Sequence, residues 1–216
     1  MELDFAELES FLVQLSLSTD DEDIRATIQD RFAGLAGRCI QWQAGNNEAQ
    51  DVLNELNEVV TILQAVVTTS PDLPPKTVAQ VHSFVGMIRA RQSRPALAIQ
   101  SFLKVLWLQK SGEETQDVDI ALTEHRLGLA YAMSDDLAQA ISILEKSLED
   151  YDKAGMKPEH QCVAAAQSEL TRFRTQHMNN MLHSNEKPGK ARRLSHIQEE
   201  HENQDDNKQM NKSETL

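Results

Sequence analysis

A chain of 216 residues, 40% of them hydrophobic, is long enough for one packed domain and a tail. Its formal net charge of −13 argues against nucleic acid and against anionic membranes as partners. Aromatic residues make up only 5%, and Gly and Pro are few, which favours an all-helical protein.

The N-terminus, "MELDFAELESF", has neither the basic and apolar regions of a signal peptide nor the arginines of a transit peptide. No apolar run approaches the length of a membrane span. The expected compartment is therefore cytoplasmic. Cys39 and Cys162 form neither a disulfide framework nor a CxxC site, and are expected to be reduced.

Phe5 to Leu15 reads as a short amphipathic helix. "STDDED" supplies cap-forming residues ahead of Ile24, and Ile24, Ile28, Phe32, Leu35, Cys39 and Trp42 then fall at helical spacing. "AGNNEAQ" breaks that pattern. Val52, Leu56, Val59, Leu63 and Val66 make the next helix, and "TTSPDLPP" ends it. Residues 1–74 hold 14 acidic and 3 basic residues and form an acidic helical region, read as a solvated face that could attract a basic partner.

Four helical segments follow, at about 76–91, 95–110, 118–133 and 137–153, and a further one from about Glu159 to Met178. Gly112 and Gly155 stand where helix C-caps belong, and Pro95 and Asp135/Asp136 suit helix starts. Residues 75–183 therefore read as the helical domain proper. Residues 184–216 are polar and low in complexity, with too little apolar surface to offset the entropy of ordering, and are expected to be a disordered tail.

Sliding the chain on itself by 42 residues superposes "VGMIRARQSRPALAIQSFLKVL" from Val85 on "LGLAYAMSDDLAQAISILEKSL" from Leu127. Gly86 falls on Gly128, Ala98 on Ala140, Ile99 on Ile141 and Leu106 on Leu148. A glycine inside a helix costs about 1 kcal/mol relative to alanine, so Gly128 needs a packing reason.

The pattern resembles the tetratricopeptide repeat. A small residue in the first helix, a large one three places on and a small residue in the second helix are matched by Gly128, Tyr131 and Ala140, and by Gly86 and Ala98 one repeat earlier. Arg89 departs from the pattern at the place of Tyr131. The repeat length and the lead-in "DIALTEHRLG" look like the kinesin-light-chain type, with Glu124 where that type usually has leucine. The resemblance implies an all-α fold of antiparallel helical hairpins stacked as a short right-handed solenoid. In such a stack the small residues let the two helices of a hairpin approach. The helices at 24–43 and 47–68 would supply the first hairpin.

The family's first helices line a concave groove. The positions implied to face it here are Gln80, Ser83, Met87 and Arg91, then Leu122, His125, Leu129 and Met133. Lysine and asparagine are absent from them, so no carboxylate clamp is expected. The strip suits an amphipathic helix or an extended segment with apolar anchors, and the chain's own Phe5–Leu15 helix could also fill it.

No HExxH, no phosphate-cradling glycine loop and no GxSxG is present. His160 and Cys162 lack partners at metal-ligand spacing. Glu113 and Glu114 fall in a loop with nothing to desolvate them. No enzyme, cofactor or metal is expected. The expected function is a protein-interaction scaffold binding another protein or peptide; the alternative is a structural subunit that self-associates through its outer hairpins. Trp107 and Leu108, in the all-apolar "VLWL", are candidate contacts for a partner or for an adjacent element of the same chain. "RRLS" makes Ser195 a candidate phosphorylation site.

Overall fold

The computed structural model of the protein describes residues 3–38, 49–112 and 116–183. Among them all regular structure is helical and no strand occurs. The chain divides into a compact unit Met1–Phe173 and a second, Arg174–Leu216. The described part of the second unit, 174–183, is helical.

Helix α1 is Phe5–Ser18. Asp4 caps it, its Oδ1 accepting from the backbone N of Ala6 at 2.9 Å and of Glu7 at 3.1 Å. Helix α2, Glu22–Arg31, is capped in the same way by Asp21, within the acidic run that reads as a cap. The unbroken helix expected from Ile24 to Trp42 does not form: α2 stops at Arg31 and the chain turns through Gly34 at φ 73° before a short helical stretch at 35–38. Phe32 and Leu35 are both buried, so the apolar rhythm runs on across a backbone break that it cannot report. The turn is held from α1, where the Glu9 carboxylate accepts from Gly34 N at 2.7 Å and Ala36 N at 2.9 Å. Cys39 and Trp42 lie outside the described residues.

Helix α3 is Ala49–Thr69, and Leu56, Val59, Val60, Leu63 and Val66 form its buried stripe. After the proline-rich break come two helical hairpins: α4 (Pro75–Arg91) with α5 (Pro95–Ser111), and α6 (Asp117–Met133) with α7 (Leu137–Lys153). Helix α8 covers 161–183. The break at Pro71–Pro75 ends one helix and starts the next without dividing the core: a single buried cluster runs from Leu3 through α1 to α5 and reaches Leu127 and Ala130.

The two hairpins place a glycine at the same tight point. A Cβ on Gly86 would lie 2.6 Å from the Phe102 ring; one on Gly128 would lie 2.9 Å from Leu144 Cγ and 3.3 Å from the Ala140 carbonyl oxygen. No real Cβ tolerates the shorter contacts, which is why glycine stands in both helices. Ala98 and Ala140 are fully buried across from them. Each hairpin turns through one non-glycine residue in the left-handed region, Ser93 at φ 56° and Asp135 at φ 65°. The next amide then bonds back: Arg94 N to Arg89 O at 2.9 Å, Asp136 N to Tyr131 O at 3.0 Å. Pro95 opens α5, and Asp136 caps α7 through Gln139 N at 3.1 Å.

Of the two glycines expected as C-caps, Gly155 has φ 72° and directs Met156 N to Tyr151 O at 3.0 Å. Gly112 instead follows α5 with extended backbone, φ −92° and ψ 140°, a conformation open to any residue.

Candidate partner-binding groove

Helices α4 and α6 are the first helices of the two hairpins, and their packing faces fix where the remaining faces point. Gly86 faces α5, while Phe84, two residues or about 200° away, faces the other side. There the Phe84 ring meets Phe11 of α1, centroids 5.0 Å apart and planes inclined by 31°. Helix α4 is thus sandwiched between α1 and α5.

Helix α1 covers the repeat-1 half of the expected groove. Met87 is buried in the cluster that holds Phe5, Phe11 and Leu12. The Arg91 guanidinium lies 5.2 Å above the Phe5 ring. Ser83 Oγ accepts from Arg126 Nη1 at 2.9 Å. Burial lowers the pKa of Arg126 from its ordinary value, and the Glu7 carboxylate of α1 acts in the opposite direction. Gln80 is exposed.

The repeat-2 half is met by α8. His125 is buried and its Nε2 lies 2.7 Å from Glu169 Oε2. Leu129 packs, half-buried, on the cluster of Leu137, Leu144, Leu170 and Phe173. Leu122 is half-buried and Met133 is exposed. Of the eight residues, then, Gln80, Arg91 and Met133 are exposed, Arg91 above the Phe5 ring, and the other five are half-buried or buried. Sequence reasoning passed over Arg126, Glu7 and Glu169. Their signal was weak: each is a lone charge on a helix, and only the packing of α1 and α8 brings it to a partner.

Behind the groove, Glu124 is buried at 1% side-chain exposure, and its Oε1 receives Lys110 Nζ at 3.1 Å and also Lys146 Nζ. The carboxylate raises the Lys146 pKa above its ordinary value. Glu124 Oε2 is buried without a hydrogen-bond partner among the described residues. One repeat earlier the same place holds His82, facing Lys104. Burial and that lysine push its pKa down to about 4, so the ring is neutral. Tyr151, buried against Cys162, is pushed up to about 12.

Among the described residues no three His, Cys, Asp or Glu side chains converge as metal ligands. Cys162 is a free thiol, and its backbone N donates to His160 Nδ1 at 3.3 Å. No described helix is long and apolar enough to cross a membrane. Ser195 and the tail lie outside the described residues.

These hairpins are those of a tetratricopeptide-like helical-repeat protein. Solved structures share the fold. One is BtubC (BKLC) from P. vanneervenii, at TM-score 0.56 and 13% identity over 81% of this chain and 66% of that one. Another is a putative kinesin light chain with nearly identical TPR-like repeats from Podosopora anserina, at TM-score 0.50 and 15% identity over 84% of this chain and 91% of that one. A variant of the latter matches at TM-score 0.51. The chain thus spans 66% of the length of the first of these. No protein-family model and no curated relative matches the sequence.

Proposed function

We propose that the chain is a non-catalytic scaffold that takes a helix or peptide of another protein on the α4/α6 strip, in competition with its own α1. The fold is of a kind that serves protein interaction. The observation that carries the finer reading is α1 itself. It is an amphipathic helix seated on Phe84, Met87 and Arg91 through Phe5 and Phe11, with Glu7 near Arg126. A strip that holds such a helix from its own chain has the chemistry to hold one from elsewhere.

Crosslinking with mass spectrometry from native extract would identify the partner. Against it, Leu129→Glu with Met133→Glu should weaken binding, and Met133→Glu alone, which disturbs no buried contact, should do so in part. Phe5→Ala, which loosens α1 at its cation contact, should tighten binding. If the folded groove variants bind as tightly as the parent, the strip is not the site.

A further inference from the structure

Helix α5 carries an exposed apolar face that its role in the repeat does not require. Trp107 is 67% exposed, and Leu97 and Leu103 are exposed beside it. The corresponding places on α7, 42 residues on, are Gln139, Glu145 and Glu149. The hairpin therefore packs equally well with polar residues there, and the apolar ones answer to something outside it.

Charge separates the N-terminal region from the first hairpin. From residue 75 to residue 111 there are 6 basic residues and no acidic one, in a chain of net charge −13. In helical projection Lys104 lies between Trp107 and Leu97, and among the described residues no carboxylate pairs with it. On α1, Val13 at 52% and Leu17 at 74% exposure form a second apolar pair one turn apart. This pair stands beside Asp20, Glu22 and Asp23.

The two faces are complementary in charge and both apolar at their centres. Because α4 lies between α1 and α5, they point away from one another and cannot meet within one chain. We propose that copies of this chain associate head to tail, the α5 face of one (Leu97, Leu103, Lys104, Trp107) seating the α1 face of the next (Val13, Leu17, Asp20). A contact between two different patches leaves both ends unfilled after the first pairing, so association continues into a filament or closes as a ring. None of the residues this association uses is one of the eight groove positions.

The test is sedimentation and light scattering of the full chain across a wide concentration range. The average mass should climb past the dimer as concentration rises, and fall when salt is added. Leu103→Glu with Trp107→Glu should abolish association, as should Val13→Glu with Leu17→Glu. All four positions are exposed, so circular dichroism should show both variants folded like the parent. The decisive step is mixing them. Each variant keeps the face that the other has lost, so an equimolar mixture should form a heterodimer and nothing larger. The proposal is overturned if the parent stays monomeric at every concentration. It is overturned equally if either variant still self-associates, or if the mixture remains monomeric. Loss through the α5 variant alone would show that some other surface or another protein occupies that face.

Discussion

The hairpins α4–α5 and α6–α7 share a backbone and differ in what they place on it. Gly86 and Gly128, Ser93 and Asp135, Ala98 and Ala140 fill the same places in the same conformations. At the buried position where repeat 2 has Glu124, repeat 1 has His82. The lysine facing each is also shared in register, Lys146 and Lys104. Repeat 2 thus pairs its lysine with a buried carboxylate, and repeat 1 sets its lysine beside an uncharged imidazole. On the outer helix the contrast reverses, with Leu103 and Trp107 against Glu145 and Glu149. Shape is set by small residues and turns, which leaves the remaining positions free to diverge in charge.

The largest effect should come from removing the cations around Glu124. Lys110→Ala with Lys146→Ala leaves a buried carboxylate unpaired. Both lysines are about half exposed, which reduces the cost below that of a fully buried pair, to about 2–3 kcal/mol. Glu124→Leu removes the charge along with its need for partners and should be close to neutral. Denaturant midpoints of the two variants check this. A double lysine variant as stable as the parent would mean that water reaches the carboxylate.

The glycines come next. Gly128→Leu forces a branched side chain into the Leu144 and Ala140 contact and should cost about 1–3 kcal/mol. Gly86→Ala meets the Phe102 ring at 2.6 Å and should also destabilise, although alanine is the better helix former. Repeat 2 carries leucine opposite its glycine, so Phe102→Leu should relieve part of the clash. In a double-mutant cycle the pair should cost less than the sum of the singles by about 0.5 kcal/mol or more. Strict additivity would show that Gly86 and Phe102 do not touch.

His82 makes the contrast depend on pH. Its pKa is lowered from 6.5 to about 4 in the fold. The unfolded chain therefore takes up a proton as pH falls through 6.5, while the folded chain resists until about 4. The stabilisation that goes with the neutral ring is present above pH 6.5 and is lost as pH falls through that window. Discounted for the solvent the ring still meets, the loss is about 1 kcal/mol. His82→Asn should flatten the fall in thermal midpoint between those pH values by that amount. An unchanged slope would assign the acid sensitivity to other groups.

Much of this fold was legible because apolar period, prolines and cap residues all report local backbone. The starts of α2, α5 and α7 follow from Asp21, Pro95 and Asp136, and the close helix approach follows from Gly128. What was not legible depended on packing across the chain. The turn at Gly34 is hidden because Phe32 and Leu35 keep the helical rhythm through it, and only Glu9, far away in sequence, completes it. The burial of Met87 beside α1, the stacking of Arg91 on Phe5, the bond of Ser83 to Arg126 and the meeting of His125 with Glu169 are likewise non-local. The basic island from 75 to 111 is plain in the sequence, but the acids that follow it between 113 and 152 nearly cancel it when the two repeats are taken together.

The smallest effect lies in the turns. Ser93 and Asp135 both hold positive φ, which costs an ordinary L-residue about 1 kcal/mol or more through the crowding of Cβ against the carbonyl oxygen. Glycine escapes that crowding but brings a more flexible unfolded chain, which takes back about half of the gain or more. Ser93→Gly should therefore stabilise by about 0.5 kcal/mol. Asp135→Gly should gain less, because aspartate is among the residues that enter the left-handed region at reduced cost. The ranking matters more than either value. Both turns close through the same amide-to-carbonyl bond, Arg94 to Arg89 and Asp136 to Tyr131, so the substitutions differ only in the residue replaced. Thermal midpoints should rise for Ser93→Gly and stay near the parent for Asp135→Gly. A fall for Ser93→Gly would mean that the serine side chain supports the turn, and the two hairpins would then be alike in outline but not in how they close.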